Sequence, residues 1–162
     1  MNTVYLLTGG NVGNRAQYLH KTAEQIGLHC GAITRQSAIY ETAPWGKTDQ
    51  AAFLNQALEL STDLEPLALL AALQAIENAE GRQRSVQYGP RTIDIDILLF
   101  NHLVIDLPTL SIPHPQMALR RFVLQPLQEI AANYLHPVLK ISIAAMLAAC
   151  TDPLPVKKFS AA

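Results

Sequence analysis

Two aspartates, Asp94 and Asp96, stand in the β-branched run Gly89-Pro90-Arg91-Thr92-Ile93-Asp94-Ile95-Asp96-Ile97-Leu98. Residues two apart on a strand share a face, so the carboxylates project together while Ile93, Ile95 and Ile97 project the other way. Carboxylates with Cα atoms roughly 6–7 Å apart can converge on a hard cation such as Mg2+, which takes few protein ligands and leaves room for phosphate oxygens. The competing reading is an alternating strand with a wetted polar face. It is strained here, because Asp is depleted in strands and like charges on one face repel. Leu98 and Phe100 also follow on the same face, so that face does not stay polar.

Arg82, Arg84 and Arg91 lie just upstream of the acid pair. Guanidinium forks suit phosphate oxygens, and cations beside a carboxylate-held metal are the components of phosphoryl transfer. The alternative is that these arginines neutralise Glu77, Glu80 and the aspartates as surface pairs, which stabilise little. Glu77 falls four residues after Leu73, on an apolar stripe and in the last turn of a helix. A carboxylate there opposes the helix dipole and is half buried, so it needs a partner.

A segment carrying Thr42, Pro44, Trp45 and Gly46 precedes Phe53 and Asn55, which share a strand face. An aromatic ring beside an amide that presents both donor and acceptor fits a flat heteroaromatic ligand. A core Phe with a strand-end Asn accounts for the spacing equally well. Further on, Ile112-Pro113-His114-Pro115 and Arg120-Arg121-Phe122 set a loop histidine beside more positive charge, although a loop histidine is usually just solvated. His20, His29, His102 and His136 lack acidic or metal-like companions and read as structural. Cys30 and Cys150 sit in apolar surroundings without zinc-type spacing and read as small buried hydrophobes.

The elements that must position these groups follow from hydrophobic periodicity. Val4 to Leu7 reads as a strand running into Gly9-Gly10. Asn14 can cap a helix with Leu19, Ala23 and Ile26 on one stripe, ending near Gly27. Ile33 to Glu41 and Phe53 to Thr62 read as two strands. A helix spans Pro66 to Ala79, with Leu69, Leu70, Leu73 and Ile76 as its stripe, and the strand TIDIDILLF follows. The order β-α-β-β-α-β is that of a ferredoxin-like α+β core. A strand pair around Val104 and Ile112, a helix near Val123 to Ile130 and an apolar helix from Ile141 to Cys150 are placed to cover the second face, giving a three-layer α/β/α arrangement. The tail from Thr151 is expected to be loosely held.

Hydrophobic residues make up 49% of the 162 and charged residues 15%, which excludes a disordered chain. A domain of this length buries roughly 70% of its unfolded surface, so it needs no metal or disulfide staple. Twelve basic against thirteen acidic residues leave a net charge of −1, which argues against a general nucleic-acid or membrane-surface binder. An RNA-binding module would show an aromatic strand pattern that is missing here. Gly9-Gly10-Asn11-Val12-Gly13-Asn14 cannot be read as G-x-G-x-x-G, and there is no Walker motif. Without a targeting segment or membrane span, the expectation is a cytoplasmic, monomeric, single-domain enzyme over 1–162 that takes small-molecule substrates.

The strings VYLLTGGNVGNR, YETAPWG, FLNQALEL, GPRTIDIDILLF and IPHPQMALRRFVLQPLQEIAA, in this order, resemble the conserved blocks of 6-hydroxymethyl-7,8-dihydropterin pyrophosphokinases, enzymes of folate biosynthesis. The resemblance covers Val4 to about Asn133. It implies transfer of intact pyrophosphate from ATP to the pterin hydroxymethyl oxygen, with release of AMP. It further implies that Asp94 and Asp96 hold two Mg2+ ions and that Arg82, Arg91, His114 and Arg120 hold the triphosphate, with Arg84 from a mobile loop that also carries Tyr88. Glu77 and the backbone at Ile97 and Leu98 would meet the nucleotide. Thr42, Pro44 and Trp45 would meet the pterin, Asn55 would read its amide edge, and Phe53 and Phe122 would stack on its ring. The chain departs from the family pattern at Gly10, Ala43, Trp45, Gln87, Tyr88 and Thr109.

Overall fold

The computed structural model describes residues 1–43, 51–80 and 92–160. The first half runs β1 (Asn2–Gly10), α1 (Arg15–His29), β2 (Ala32–Gln36), β3 (Tyr40–Thr42), β4 (Phe53–Thr62) and α2 (Pro66–Ala79). The second runs β5 (Asp94–Phe100), β6 (Ile105–Leu107), β7 (Leu110–Ile112), a 3-10 turn (Met117–Leu119), α3 (Arg121–Ala131), α4 (Ile143–Ala149) and β8 (Val156–Lys158). The main sheet has the order β5-β1-β4-β3-β8, with β2 also paired to β4. All its pairings are antiparallel, and β6 and β7 form a separate ribbon.

Alternation along β1 divides the core. Val4 and Leu6 enter one cluster with Leu19 and Ile26 of α1 and Leu69 and Leu73 of α2. Tyr5 and Leu7 enter the other, with Val123, Leu124 and Leu127 of α3 and Ile143 and Met146 of α4. The three layers are therefore α1/α2, the sheet, and α3/α4, as the element order predicts. No described helix is long and apolar enough to cross a membrane.

Several boundaries differ from the sequence reading. Helix α1 does start after Asn14, whose side-chain oxygen accepts from the Gln17 amide, but it passes Gly27 and ends at His29. A Cβ at Gly27 would meet nothing within 4 Å, so that glycine is merely tolerated. The glycine that follows the helix end is Gly31, with φ +153°, where a Cβ would come inside 3.0 Å of the Ser61 carbonyl oxygen. The strand expected from Ile33 to Glu41 is two strands, because between them side chains take over the Ser37 carbonyl and the Ala38 amide. Gln56 Nε2 donates to the Ser37 carbonyl at 2.8 Å, and the Ala38 amide donates to Glu129 Oε2 at 3.1 Å. Tyr40 Oη also bonds Glu129, and burial followed by that carboxylate pushes the Tyr40 hydroxyl pKa up to about 12.

Strand β5 contains an irregularity that periodicity does not reveal. Its register with β1 pairs Leu99 with Tyr5 but Ile97 with Leu6, so Leu98 is an extra residue. An inserted residue shifts every later side chain to the opposite face. Leu98 and Leu99 both enter the α3/α4 cluster, and Phe100 turns into the α1/α2 cluster with Ile95 and Ile97. Phe100 therefore does not share the aspartate face.

The tail is not loose over its described length. Val156–Lys158 pairs with β3 as an edge strand, and Asp152 accepts from the Arg121 amide at the start of α3. Cys30 is buried as expected, whereas Cys150, at the C-cap of α4, is only partly buried against the α3/α4 cluster. His102 stacks on Tyr134 with ring centroids 5.1 Å apart. His136 Nδ1 accepts from the amides of Val138 and Leu139. Both are structural.

Candidate active site

A cavity of about 400 Å3 opens on the α3/α4 face of the sheet, beyond the end of that helical layer. Strand register assembles its floor. Gly9 pairs with Asn55 on one side and Asp94 on the other, Leu7 pairs with Asp96, and Thr42 pairs with Phe53. Directly opposed residues share a face, so one continuous surface forms from four strands. His114, Pro115, Gln116, Arg120 and Phe122 make the wall.

Asp94 and Asp96 both line the cavity and are half-buried. They project together, as their spacing predicts. Among the described residues no group of three or more His, Cys, Asp or Glu side chains could hold a metal. Two carboxylates on one strand face, without a closed protein cage, fit a magnesium ion that completes its shell with water and phosphate oxygens.

The edge of β5 is tied down from both sides. Glu77 Oε2, buried on α2, accepts from the Ile95 amide at 2.7 Å, and this amide lies between the two aspartates. The Leu98 carbonyl accepts from the His114 amide at 3.0 Å. Glu77 thus meets the partner that its half-buried position demanded, and it lies outside the cavity lining. Its described contact is with strand backbone, behind the aspartates, where the family resemblance had it meet nucleotide. The Ile97 side chain belongs to the α1/α2 core. By the two-residue period, the Ile97 backbone faces the same open edge as Ile95.

His114 lines the cavity, and its pKa lies below the ordinary 6.5 because of burial and then the Arg120 charge, with Asp94 opposing. It is therefore neutral near pH 7. Its Nδ1 accepts from the Gln116 amide at 3.3 Å, so the neutral ring carries its proton on Nε2 and can donate to an anionic oxygen. Arg120 bonds Gln116 Oε1 and lies 5.7 Å above the Phe122 ring. The adjacent Arg121 turns away. Its guanidinium donates to the carbonyls of Asp152 and Cys150, so of this pair only Arg120 reaches the cavity.

At the other end, Asn55 is 6% exposed and Thr42 is 3% exposed, yet Asn55 Oδ1 and Thr42 Oγ1 have no hydrogen-bond partner among the described residues. Among the described residues, Asn55 Nδ2 makes one long contact, 3.4 Å to the Thr8 carbonyl. Buried polar atoms are normally satisfied, so orphans that line a cavity mark where a ligand's polar edge belongs. Phe53 and Phe122 line the same cavity, which favours the platform reading of Phe53 over the core one. The cavity thus has an acidic flank whose carboxylates could hold a cation, a cationic flank and an aromatic-amide end. Pro44, Trp45, Arg82, Arg84, Tyr88 and Arg91 lie outside the described residues.

Sequence reasoning missed Gly9 and Gln116, both of which line the cavity. A Cβ on Gly9 would come inside 3.0 Å of Asn55 Nδ2, so the glycine admits the amide. Its only sequence signal was a doublet that reads as a turn. Arg15 and Asn11 were also missed. Arg15 Nη1 bonds Glu41 Oε2 and the Ala52 carbonyl, both at 2.8 Å, and Asn11 Nδ2 bonds the Ala51 carbonyl at 2.9 Å.

The family model for 7,8-dihydro-6-hydroxymethylpterin-pyrophosphokinase matches residues 5–132. The 2-amino-4-hydroxy-6-hydroxymethyldihydropteridine pyrophosphokinase of Bacillus subtilis is 48% identical over 130 residues, covering 80% of this chain and 78% of the relative. Its counterpart in Aquifex aeolicus is 41% identical over 138 residues, covering 85% and 86%. The crystal structure of Plasmodium falciparum wild-type HPPK-DHPS with pteroate superposes with a TM-score of 0.75 at 20% identity, over 91% of this chain and 42% of that one. Such a likeness reports the shared ferredoxin-like fold, and the present chain spans under half of that longer protein. On the family match and these identities, the chain belongs to the 7,8-dihydro-6-hydroxymethylpterin-pyrophosphokinase family.

Proposed function

We propose that this chain transfers the pyrophosphoryl group of ATP to the hydroxymethyl oxygen of 6-hydroxymethyl-7,8-dihydropterin, releasing AMP, as a step of folate biosynthesis. The observation that carries this reading is the single cavity joining two strand-borne carboxylates to buried, unpartnered amide and hydroxyl oxygens between aromatic rings. A pterin has a flat ring with an amide edge, and a polyphosphate needs cations and held magnesium. Few other substrate pairs require both in one cleft.

Asn55 Oδ1 accepts from the pterin's amide edge, Thr42 presents a second polar atom, and Phe53 and Phe122 pack on the ring. Asp94 and Asp96 would hold magnesium, two ions by family resemblance, which would supply charge neutralisation for the transferring phosphates. Neutral His114 donates from Nε2 to a phosphate oxygen, and Arg120 adds a fixed positive charge where water is excluded. Arg82, Arg84 and Arg91 complete the cationic side, Glu77 and the Ile97–Leu98 backbone support the nucleotide end, and Pro44, Trp45 and Tyr88 border the substrates. The hydroxymethyl oxygen attacks the β-phosphorus, the bond from the α,β-bridging oxygen to that phosphorus breaks, AMP leaves with the bridging oxygen, and the hydroxyl proton passes to solvent. Positioning dominates such a step, and no strong protein base is assigned.

The test is nucleotide chromatography after incubation with MgATP and the dihydropterin alcohol. AMP in equal amount to pterin diphosphate is expected, with turnover lost on chelation of magnesium. ADP as the nucleotide product would refute the assignment.

A further inference from the structure

We infer that the C-terminal segment positions the pterin end of the cavity through a strut of Phe159 and Arg15, which act as positioning residues for the acceptor substrate. The inference rests on the pterin being bound between Thr42, Phe53 and Asn55. The family match ends at residue 132, so Phe159 lies beyond it.

Thr42 and Phe53 are the cavity residues at either end of the segment joining β3 to β4, and they are paired in register. Their immediate neighbours, Glu41 and Ala52, are both held by one Arg15 nitrogen, to Oε2 and to the carbonyl oxygen at 2.8 Å each. Arg15 is distant from both in sequence, and its guanidinium adds a side-chain tie to the β3–β4 pairing at the point where the two strands diverge. Its own position is set from the other side. The Arg15 guanidinium carbon lies 5.5 Å from the centre of the Phe159 ring, and the Phe159 amide donates to the Ile39 carbonyl at 2.8 Å, which extends the β8–β3 pairing. The ring face attracts the cation and shields it from water, which strengthens both of its hydrogen bonds. A planar fork can serve a carboxylate and a carbonyl while stacking on a ring, whereas a lysine ammonium cannot do all three.

Neither Arg15 nor Phe159 lines the cavity. The described contacts of the pair lead to the neighbours of Thr42 and Phe53, away from the His114 and Arg120 side of the cavity. The strut is selective in what it supports, and selectivity is the measurable consequence.

Steady-state AMP formation is compared for wild type, Phe159→Ala, Phe159→Tyr and Arg15→Lys, varying each substrate in turn. Phe159→Ala and Arg15→Lys should raise KM for the dihydropterin about five- to thirtyfold, leave KM for MgATP within about twofold, and keep kcat close to wild type. Phe159→Tyr, which retains the ring, should restore the wild-type KM. Equilibrium titration with oxidised 6-hydroxymethylpterin should show the same ranking. If Phe159→Ala does not fold, Phe159→Leu, which keeps apolar volume without a ring, is judged by the same criterion. Unchanged kinetics, or parallel loss for both substrates, would overturn the strut. A wild type that makes no AMP would instead remove the functional reading beneath it.

Discussion

Replacing Gly9 by alanine isolates the part of the cavity on which acceptor recognition depends. Gly9 does not have a positive φ, so the substitution meets no backbone penalty and its effect is wholly steric. The new methyl group would sit inside 3.0 Å of Asn55 Nδ2, 3.2 Å from Asn55 Cγ and 3.2 Å from the Leu54 carbonyl oxygen. The Leu54 backbone is fixed by the β1–β4 ladder, whereas among the described residues the Asn55 amide has a single long contact, 3.4 Å to the Thr8 carbonyl. The amide is therefore what moves, and Oδ1 leaves the place where it can meet the pterin. Losing a buried donor–acceptor match costs about 1–3 kcal/mol, or roughly five- to 150-fold in pterin affinity. Overpacking costs about 1–3 kcal/mol of stability, partly offset by about 0.4–1 kcal/mol from the less flexible unfolded chain. The melting temperature should fall by a few degrees. Fluorescence titration with 6-hydroxymethylpterin reads the effect, and a non-hydrolysable MgATP analogue serves as control. Because the methyl group acts through Asn55, adding Gly9→Ala to Asn55→Ala should lower pterin affinity little further. A folded Gly9→Ala protein with pterin affinity within twofold of wild type would refute the reasoning, as would an equal loss of nucleotide affinity.

Three further outcomes follow from the same geometry. Asp94→Ala or Asp96→Ala should abolish AMP formation and leave the melting temperature unchanged or higher, since two carboxylates on one face repel without metal; loss of folding in calorimetry would mean the pair is structural. Glu77→Ala should cost about 1–3 kcal/mol in chemical denaturation, because the Ile95 amide loses its acceptor. Glu77→Gln retains an acceptor and should recover most of that, so equal losses in the two variants would count against the assigned bond. Burial lowers the His136 pKa below 6.5, and its Nδ1 accepts from two amides only when the ring is neutral. The stability it contributes is fully present above pH about 6.5 and is lost as pH falls through the lower folded value. Urea midpoints of wild type and His136→Gln should therefore converge between about pH 7 and about pH 5, and a constant gap would contradict the sign.

Local pattern carried the reading a long way where the physical signal was itself local. The stripe of Leu69, Leu73 and Ile76 with Pro66 at the start marks α2 to the residue, since helical periodicity and capping involve neighbours only a turn away. The two-residue period of a strand likewise puts Asp94 and Asp96 on one face. The buried carboxylate of Glu77 was marked as needing a partner, although which partner was not legible, because an edge-strand amide eighteen residues on leaves no trace in composition.

Decisions that join distant segments belonged to tertiary structure. The extra residue at Leu98 turns Phe100 away from the aspartates, and only the pairing with β1 reveals it. Asn55 finds room because Gly9 lies opposite. Asp152 reaches the start of α3, and Phe159 reaches Arg15, contacts of the tail that no local pattern announces. Amino-acid order sets propensity and the face each side chain takes within its own element. Which faces oppose one another depends on register and on packing between elements, and this cavity is lined by groups from four strands, the segment before α3 and the first turn of α3.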